Sequence, residues 1–236
     1  MTVRRLIALG DSHLEALQMG AELGLVDAEV SFSIVPGATA VGLRNPNSIT
    51  DAINIFRAAL RPQPISSHVL IHLGEVDCGF VIWWRAAKYG EEVEAQFQAS
   101  LDAYRAFLQG VVAQGFTRIC IAGASLPTIN DDAPMGNVAN KRAELKISLE
   151  RRTELTHRYN EALKALAIEF GIYYFDITGS VVDRSTRLVH DFFRNPDPCD
   201  HHLDKNKVAA VWTGKCNDFL DNACISSETN LVPTRK

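Results

Sequence analysis

No apolar run in this chain approaches the roughly 18 residues that a membrane-spanning helix needs. The stretch Leu6–Leu9 behind the N-terminal Met-Thr-Val-Arg-Arg is too short for a secretory signal core. Cysteine is sparse: Cys78, Cys120, Cys199, Cys216 and Cys224 are odd in number, scattered, and form no C-x-x-C pair. That pattern argues against both a disulfide framework and a zinc ribbon, and makes a reducing cytoplasm the expected compartment. Basic residues are not in excess. The formal net charge is −4, which removes the footprint expected of a nucleic-acid or acidic-membrane binder. Phosphate-binding strings of the form G-x-x-x-x-G-K-[ST] or G-x-G-x-x-G are absent, so a nucleotide or phosphate binder ranks last among the functional readings. The nucleophile elbow G-x-S-x-G is also missing.

What remains is an ordinary globular composition, 47% hydrophobic and 22% charged over 236 residues. A chain of this length buries a sufficient core without disulfides or metal. No repeat and no Gly/Ser/Pro linker divides it, so residues 1–224 read as one domain followed by a frayed tail, 225–236. Short apolar runs alternate with amphipathic segments. Strands are expected at Leu6–Leu9, Val30–Val35, Val69–Leu73, Ile119–Ala122 and Ile172–Phe175. Helices are expected over Leu14–Leu25, Ile49–Leu60 (capped by Ser48 or Thr50), Glu91–Gln114, Lys141–Phe170 and Lys205–Leu220. Cys120, inside the fourth apolar run, reads as a buried core thiol. The polar stretch Pro127–Asn140 reads as a loop. Alternation of this kind requires parallel pairing through crossover helices. The strands lack clean polar alternation, as a sheet covered on both faces demands. The expected fold is α/β: a flavodoxin-like, doubly wound, five-stranded parallel sheet with helices on both faces. Ligands then sit beyond the carboxyl ends of the strands.

The residues that follow the strands are therefore the candidates. After the first comes Gly10-Asp11-Ser12-His13. After the second comes Pro36-Gly37, and after the third Gly74-Glu75-Val76-Asp77-Cys78-Gly79. After the fourth comes Gly123-Ala124-Ser125. Near the C-terminus stands Asp197-Pro198-Cys199-Asp200-His201-His202-Leu203-Asp204. Ser12 at a strand-to-helix turn is either a helix cap or a nucleophile. A hydroxyl needs a base, and His201 and His202 are the histidines flanked by several acids. Gly37 can present an unobstructed N–H to an oxyanion. Asp11 reads as a support for its own loop, while His13 and His72 read as packing or hydrogen-bonding residues. Phe80–Trp84 reads as core or interface. The competing reading makes Trp83, Trp84 and Arg85 a wall for a sugar-like ligand. The acid, cysteine and histidine residues between Asp197 and Asp204 include metal-ligand types, but no second cluster completes a set, so no metal is expected.

Taken together, Gly10-Asp11-Ser12, Gly37, Gly74-x-x-Asp77 and His202-Leu203 resemble, in order, the four blocks of the SGNH (GDSL-type) hydrolases. The resemblance implies an acyl-serine esterase or deacetylase with no cofactor. Ser12 would attack, His202 would act as base, and Asp200 would orient it, with His201 and Asp197 as the fallback pair. The N–H groups of Ser12 and Gly37 would form the oxyanion hole, and Asp11, Glu75, Asp77, His201 and Asp197 would line the site. The expected partner is a small-molecule or glycan ester, with neither nucleic acid nor membrane involved. Two positions depart from the family pattern. Val76 stands where the family has its oxyanion Asn, a role left to a backbone N–H or to a side chain such as Asn45 or Asn47, and Cys199 stands where the family's acid precedes the histidine. These departures keep a second reading alive, a non-catalytic carbohydrate-binding protein on the same fold.

Overall fold

The computed structural model describes residues 4–131, 145 and 147–228, with side chains as far as Asn222. Residues 229–236 of the expected tail, the Cys224 thiol, residues 132–140 of the 127–140 loop and the expected helical start at Lys141 lie outside what is described, whereas residues 225–228 of the expected frayed tail continue the last helix. Five strands form one sheet: β1 (Arg5–Gly10), β2 (Glu29–Ile34), β3 (His68–His72), β4 (Arg118–Ala122) and β5 (Tyr173–Phe175). Their order is β2-β1-β3-β4-β5 and every pairing is parallel, the doubly wound flavodoxin-like topology.

The central strands alternate between two cores with the period of two that the β pleat imposes. Ile7, Leu9, Val69, Ile71, Ile119 and Ile121 point to one face. There they meet α2 (Ala52–Leu60), α4 (Val93–Ala113) and α5 (Leu149–Phe170) through Phe56, Tyr104, Leu108, Tyr159 and Leu163. Leu6, Ala8, Leu70, Cys120 and Ala122 point to the other face. These pack on α1 (Glu15–Glu22) and α7 (Lys205–Glu228) through Leu17, Val208, Trp212 and Phe219. Both faces are covered, so neither set of strand residues is polar.

Three expectations about element ends change. The segment Phe80–Trp84 lies in a wide turn, Asp77–Val81, that runs into a helix, α3 (Ile82–Tyr89). The Trp83 indole N–H donates to the Cys78 carbonyl at 2.7 Å and its ring is buried, so it is core and not a ligand wall. Arg85 is held by Gln96, and Lys88 covers the Trp84 ring. Neither Ser48 nor Thr50 caps α2. That helix begins after Asp51, whose φ of 52° is left-handed and whose carboxylate accepts from Asn54. The fifth helix begins at Leu149 because the Ser148 hydroxyl takes the Arg151 N–H. One short helix, α6 (Thr178–Val181), leads into the C-terminal loop.

Register matters most for function. Gly10 pairs with Ile34 and His72, His72 with Ala122, and Ala122 with Phe175. The carboxyl ends of all five strands therefore lie in one row. Gly10 is squeezed within that row: a Cβ there would sit 2.3 Å from the His72 carbonyl oxygen. Gly10→Ala must push β1 from β3. It is expected to cost about 1–3 kcal/mol, the usual range for overpacking. For a chain of this size that corresponds to roughly 2–4 °C of melting temperature per kcal/mol. Calorimetry checks this, and a melting temperature unchanged from the parent would refute the contact.

Candidate active site

The turn after β1 is built by Asp11. Its Oδ1 accepts the His13 backbone N–H at 2.9 Å and faces His13 Nδ1 at 3.0 Å. This starts a helical turn, Ser12–Leu14, continuous with α1, and places the Ser12 N–H at the positive end of a helix. Ser12 is itself only 6% exposed.

The partner of Ser12 comes from the far end of the chain. His202 Nε2 lies 2.8 Å from Ser12 Oγ, across 190 residues of sequence. On the ring's other side, Asp200 Oδ1 sits 2.6 Å from Nδ1 and also accepts the His202 backbone N–H at 2.9 Å. Asn195 Nδ2 donates to the other Asp200 oxygen at 2.8 Å. A carboxylate only accepts, so Nδ1 carries the proton and Nε2 presents its lone pair to the hydroxyl. Burial pushes the Asp200 pKa upward. The His202 backbone N–H, the His202 ring and the charges of both histidines outweigh this and hold it below the ordinary value.

The loop carrying these residues is pinned at several points. Arg194 bonds to the carbonyls of Val189 and Thr128 and to Asn130, and pairs through its backbone with Leu203. Asp204 starts α7 by accepting the Asn206 N–H, and its own N–H donates to the Phe193 carbonyl. Asp197 is exposed and its carboxylate accepts the Cys199 N–H. It shapes the turn, and the carboxylate that reaches the imidazole is Asp200.

The expected site-lining acids lie underneath the site. Asp11, Glu75 and Asp77 all have zero exposure, so none can touch a substrate from the surface. Asp77 works as a clamp: its carboxylate accepts the N–H groups of Ala40 and Val41 at 2.7 and 3.1 Å and the Ser100 hydroxyl at 2.8 Å. It thereby holds the chain just beyond Gly37. Burial raises its pKa despite those bonds. Glu75 Oε2 approaches His13 Nε2 at 4.0 Å. Gly37 has φ +73°, three residues past the end of β2 beside β1. Asn45 and Asn47 are exposed, and Asn45 Oδ1 is occupied by the Asn47 N–H. Val76 contributes no polar side chain where the family's Asn would stand.

Sequence reasoning missed Asn195, whose only signal is its place five residues before Asp200. It also undervalued His13. The His13 ring lies 4.6 Å from that of His202 and 5.3 Å from that of His201, and the His201 and His202 rings are 4.0 Å apart. Nothing in a linear string places residue 13 beside residues 201 and 202. Below them His72 is buried, edge-on to Trp212 at 4.9 Å, with burial holding its pKa down. A cavity of about 200 Å³ opens beside Ser12 and His202, lined among others by Ala16, Ser125, Leu203, Val208 and Trp212.

This fold matches known structures. A carbohydrate acetylesterase family member from Sinorhizobium meliloti superposes with a TM-score of 0.61 at 15% identity, covering 94% of this chain and 99% of that one. The chain has the SGNH-hydrolase fold. Similar in the same way are a GDSL-like lipase from Bacteroides thetaiotaomicron (TM-score 0.55, 12% identity, 93% and 89% covered) and an inhibitor-bound aryl esterase from M. smegmatis (0.55, 13%, 92% and 100%). No protein-family model matches the chain and no curated protein matches it in sequence. Among the described residues no helix is long and apolar enough to cross a membrane.

Two predictions follow from the acids of this SGNH-fold site. Asp77→Ala leaves the buried N–H groups of Ala40 and Val41 without their acceptor, at about 1–3 kcal/mol for each unsatisfied group, while the Ser100 hydroxyl keeps Tyr159. Urea unfolding should show a loss of at least that size, and a neutral effect would contradict the clamp. The second concerns pH. Burial raises the Asp11 pKa, but the His13 charge and ring, the His72 charge and the His13 N–H together bring it below 3.8. A depressed carboxylate stabilises the fold above its unfolded value, and that stability is lost as pH falls through the folded one. Asp200 acts in the same sense and Asp77 in the opposite sense. Asp11→Asn should therefore flatten the loss of stability between about pH 5 and about pH 2, measured by urea unfolding across that range. An unchanged acid limb would contradict the assignment.

Proposed function

We propose that this protein is a serine esterase or deacetylase that hydrolyses a short acyl or O-acetyl ester through an acyl-serine. The observation that carries the reading is the continuous set of contacts Asp200–His202–Ser12, at 2.6 and 2.8 Å. The activities in the names of the similar structures, an acetylesterase, a lipase and an aryl esterase, support the same reaction class.

Ser12 Oγ attacks the ester carbonyl carbon as its proton passes to His202 Nε2. Asp200 holds the imidazole in the required tautomer and stabilises the imidazolium that forms. The N–H groups of Ser12 and Gly37 stabilise the oxyanion. Collapse breaks the ester C–O bond, and His202 returns the proton to the departing alkoxide. Water, deprotonated by His202, then attacks the acyl carbon; the bond to Ser12 Oγ breaks, His202 returns the proton to Oγ, and the acid departs. The missing Asn at Val76 removes one oxyanion donor, worth about 2.7–4 kcal/mol where such a donor has been deleted. The enzyme is accordingly expected to be slow. The cavity of about 200 Å³ has room for about seven groups of water size, at roughly 30 Å³ each, and favours an acyl group shorter than octanoyl.

Release of p-nitrophenol from the acetate ester tests the reading. Ser12→Ala and His202→Ala should each lower the rate by about 10³-fold or more. Rates equal to wild type would end the esterase assignment. Chain length gives a separate check: the acetate and butyrate esters should outpace the octanoate, and a preference for octanoate would remove the role given to the cavity. Val76 favours the second reading, a non-catalytic glycan binder. That reading requires Ser12 to resist labelling by a fluorophosphonate while an O-acetylated glycan still binds.

A further inference from the structure

We propose that His13, His201 and His202 form a site for a divalent transition-metal ion, with Zn²⁺ as the best match, and that filling it draws His202 away from Ser12. Each of the three residues offers a ring nitrogen, and among the described residues these nitrogens all lie within 4.8 Å of one another. They come from the first strand's turn and from the C-terminal loop, so the site exists only in the folded chain.

The chemistry of the surroundings suits a cation. Asp11 Oδ1 faces His13 Nδ1 at 3.0 Å, and Asp200 Oδ1 faces His202 Nδ1 at 2.6 Å. Each carboxylate requires Nδ1–H as donor, which leaves Nε2 of both rings as the ligating atom. A carboxylate behind the imidazole is the outer-shell arrangement that metal-bound histidines use, because it fixes the ring and raises its basicity. Glu75, 4.0 Å from His13 Nε2, adds a third carboxylate to the neighbourhood of a dication. Three imidazoles select zinc and its neighbours over magnesium or calcium. Three protein nitrogens and one open position make a tetrahedral site with Zn–N near 2.0–2.1 Å, which places ligand nitrogens about 3.4 Å apart. The trio must close by up to about 1.4 Å. His201 and His202 are adjacent on a half-buried loop beside the cavity, whereas His13 is held at 5% exposure in the turn.

The consequence for activity rests on the esterase reading; the metal site does not. The Nε2 lone pair that receives the Ser12 proton is the one that would bind zinc, and one lone pair cannot do both. Zinc is then a reversible inhibitor.

The test uses the full chain stripped with EDTA, titrated with zinc chloride by calorimetry near neutral pH. Wild type should bind one zinc per chain, and His201→Asn and His201→Gln should each bind about tenfold or more weakly. In the ester assay zinc should abolish the wild-type rate and EDTA restore it. Both His201 variants, each measured against its own zinc-free rate, should need about tenfold or more zinc for inhibition. Equal zinc affinity in wild type and both variants overturns the site. Full activity of zinc-saturated wild type overturns the capture of His202. If wild type and Ser12→Ala are equally inactive on every ester, the esterase reading fails by itself and the calorimetric comparison alone decides the metal site.

Discussion

One close approach in the sheet is the one on which the site depends. Gly10 leaves no space between its Cα and the His72 carbonyl, so β1 and β3 run together to their last residues. The next backbone N–H, that of Asp11, donates to the same carbonyl at 3.3 Å. The chain then has one short turn in which to leave the sheet and enter α1. Asp11 organises that turn from beneath, and Ser12 emerges at the helix start with its hydroxyl toward the strand ends. A side chain at position 10 would alter the angle at which the turn departs and so the direction of Ser12.

Ionisable groups are concentrated below this row of strand ends. Asp11, Glu75, Asp77, His13 and His72 are all buried within one neighbourhood. Burying charge is costly unless each group is paired or hydrogen-bonded. Asp77 meets that condition with two backbone N–H groups and a hydroxyl, and in doing so ties the second strand's loop to the third's. Asp11 meets it through His13. The polar layer thus replaces apolar packing at the one place where loops must be held in a defined arrangement. Gly74 fits the same pattern: its φ of +126° and a Tyr159 ring carbon 2.7 Å from where a Cβ would stand leave no room for any other residue.

The two departures from the family pattern have different structural meanings. Cys199 in place of the expected acid is compensated, because Asp200 lies one residue nearer and reaches Nδ1 while also binding the His202 N–H. Val76 itself offers no polar side chain, and the expected substitutes Asn45 and Asn47 are exposed, with Asn45 Oδ1 taken by the Asn47 N–H. In the proposed mechanism the loss falls on the oxyanion side, while the Asp200–His202–Ser12 contacts are all present. The same geometry that completes proton transfer gathers three imidazoles, two of them backed by carboxylates.

Local pattern alone determined the sheet and its helices: short apolar runs ended by Gly10, Pro36, Gly74 and Gly123 can pair only as buried parallel strands. It also singled out Gly10-Asp11-Ser12 and the stretch near His202 as the candidate site, since strand ends of a doubly wound sheet face one edge. Which acid serves His202 was not settled by spacing, because Asp197 and Asp200 are both near in sequence and the turn between them decides which carboxylate faces inward. The burial of Asp11, Glu75 and Asp77, the hand-over of Phe80–Trp84 to a turn and helix, and the meeting of His13 with His201 and His202 belong to the tertiary structure. Each depends on side chains that approach through space from distant parts of the chain, and periodicity along one segment carries no record of what packs against it.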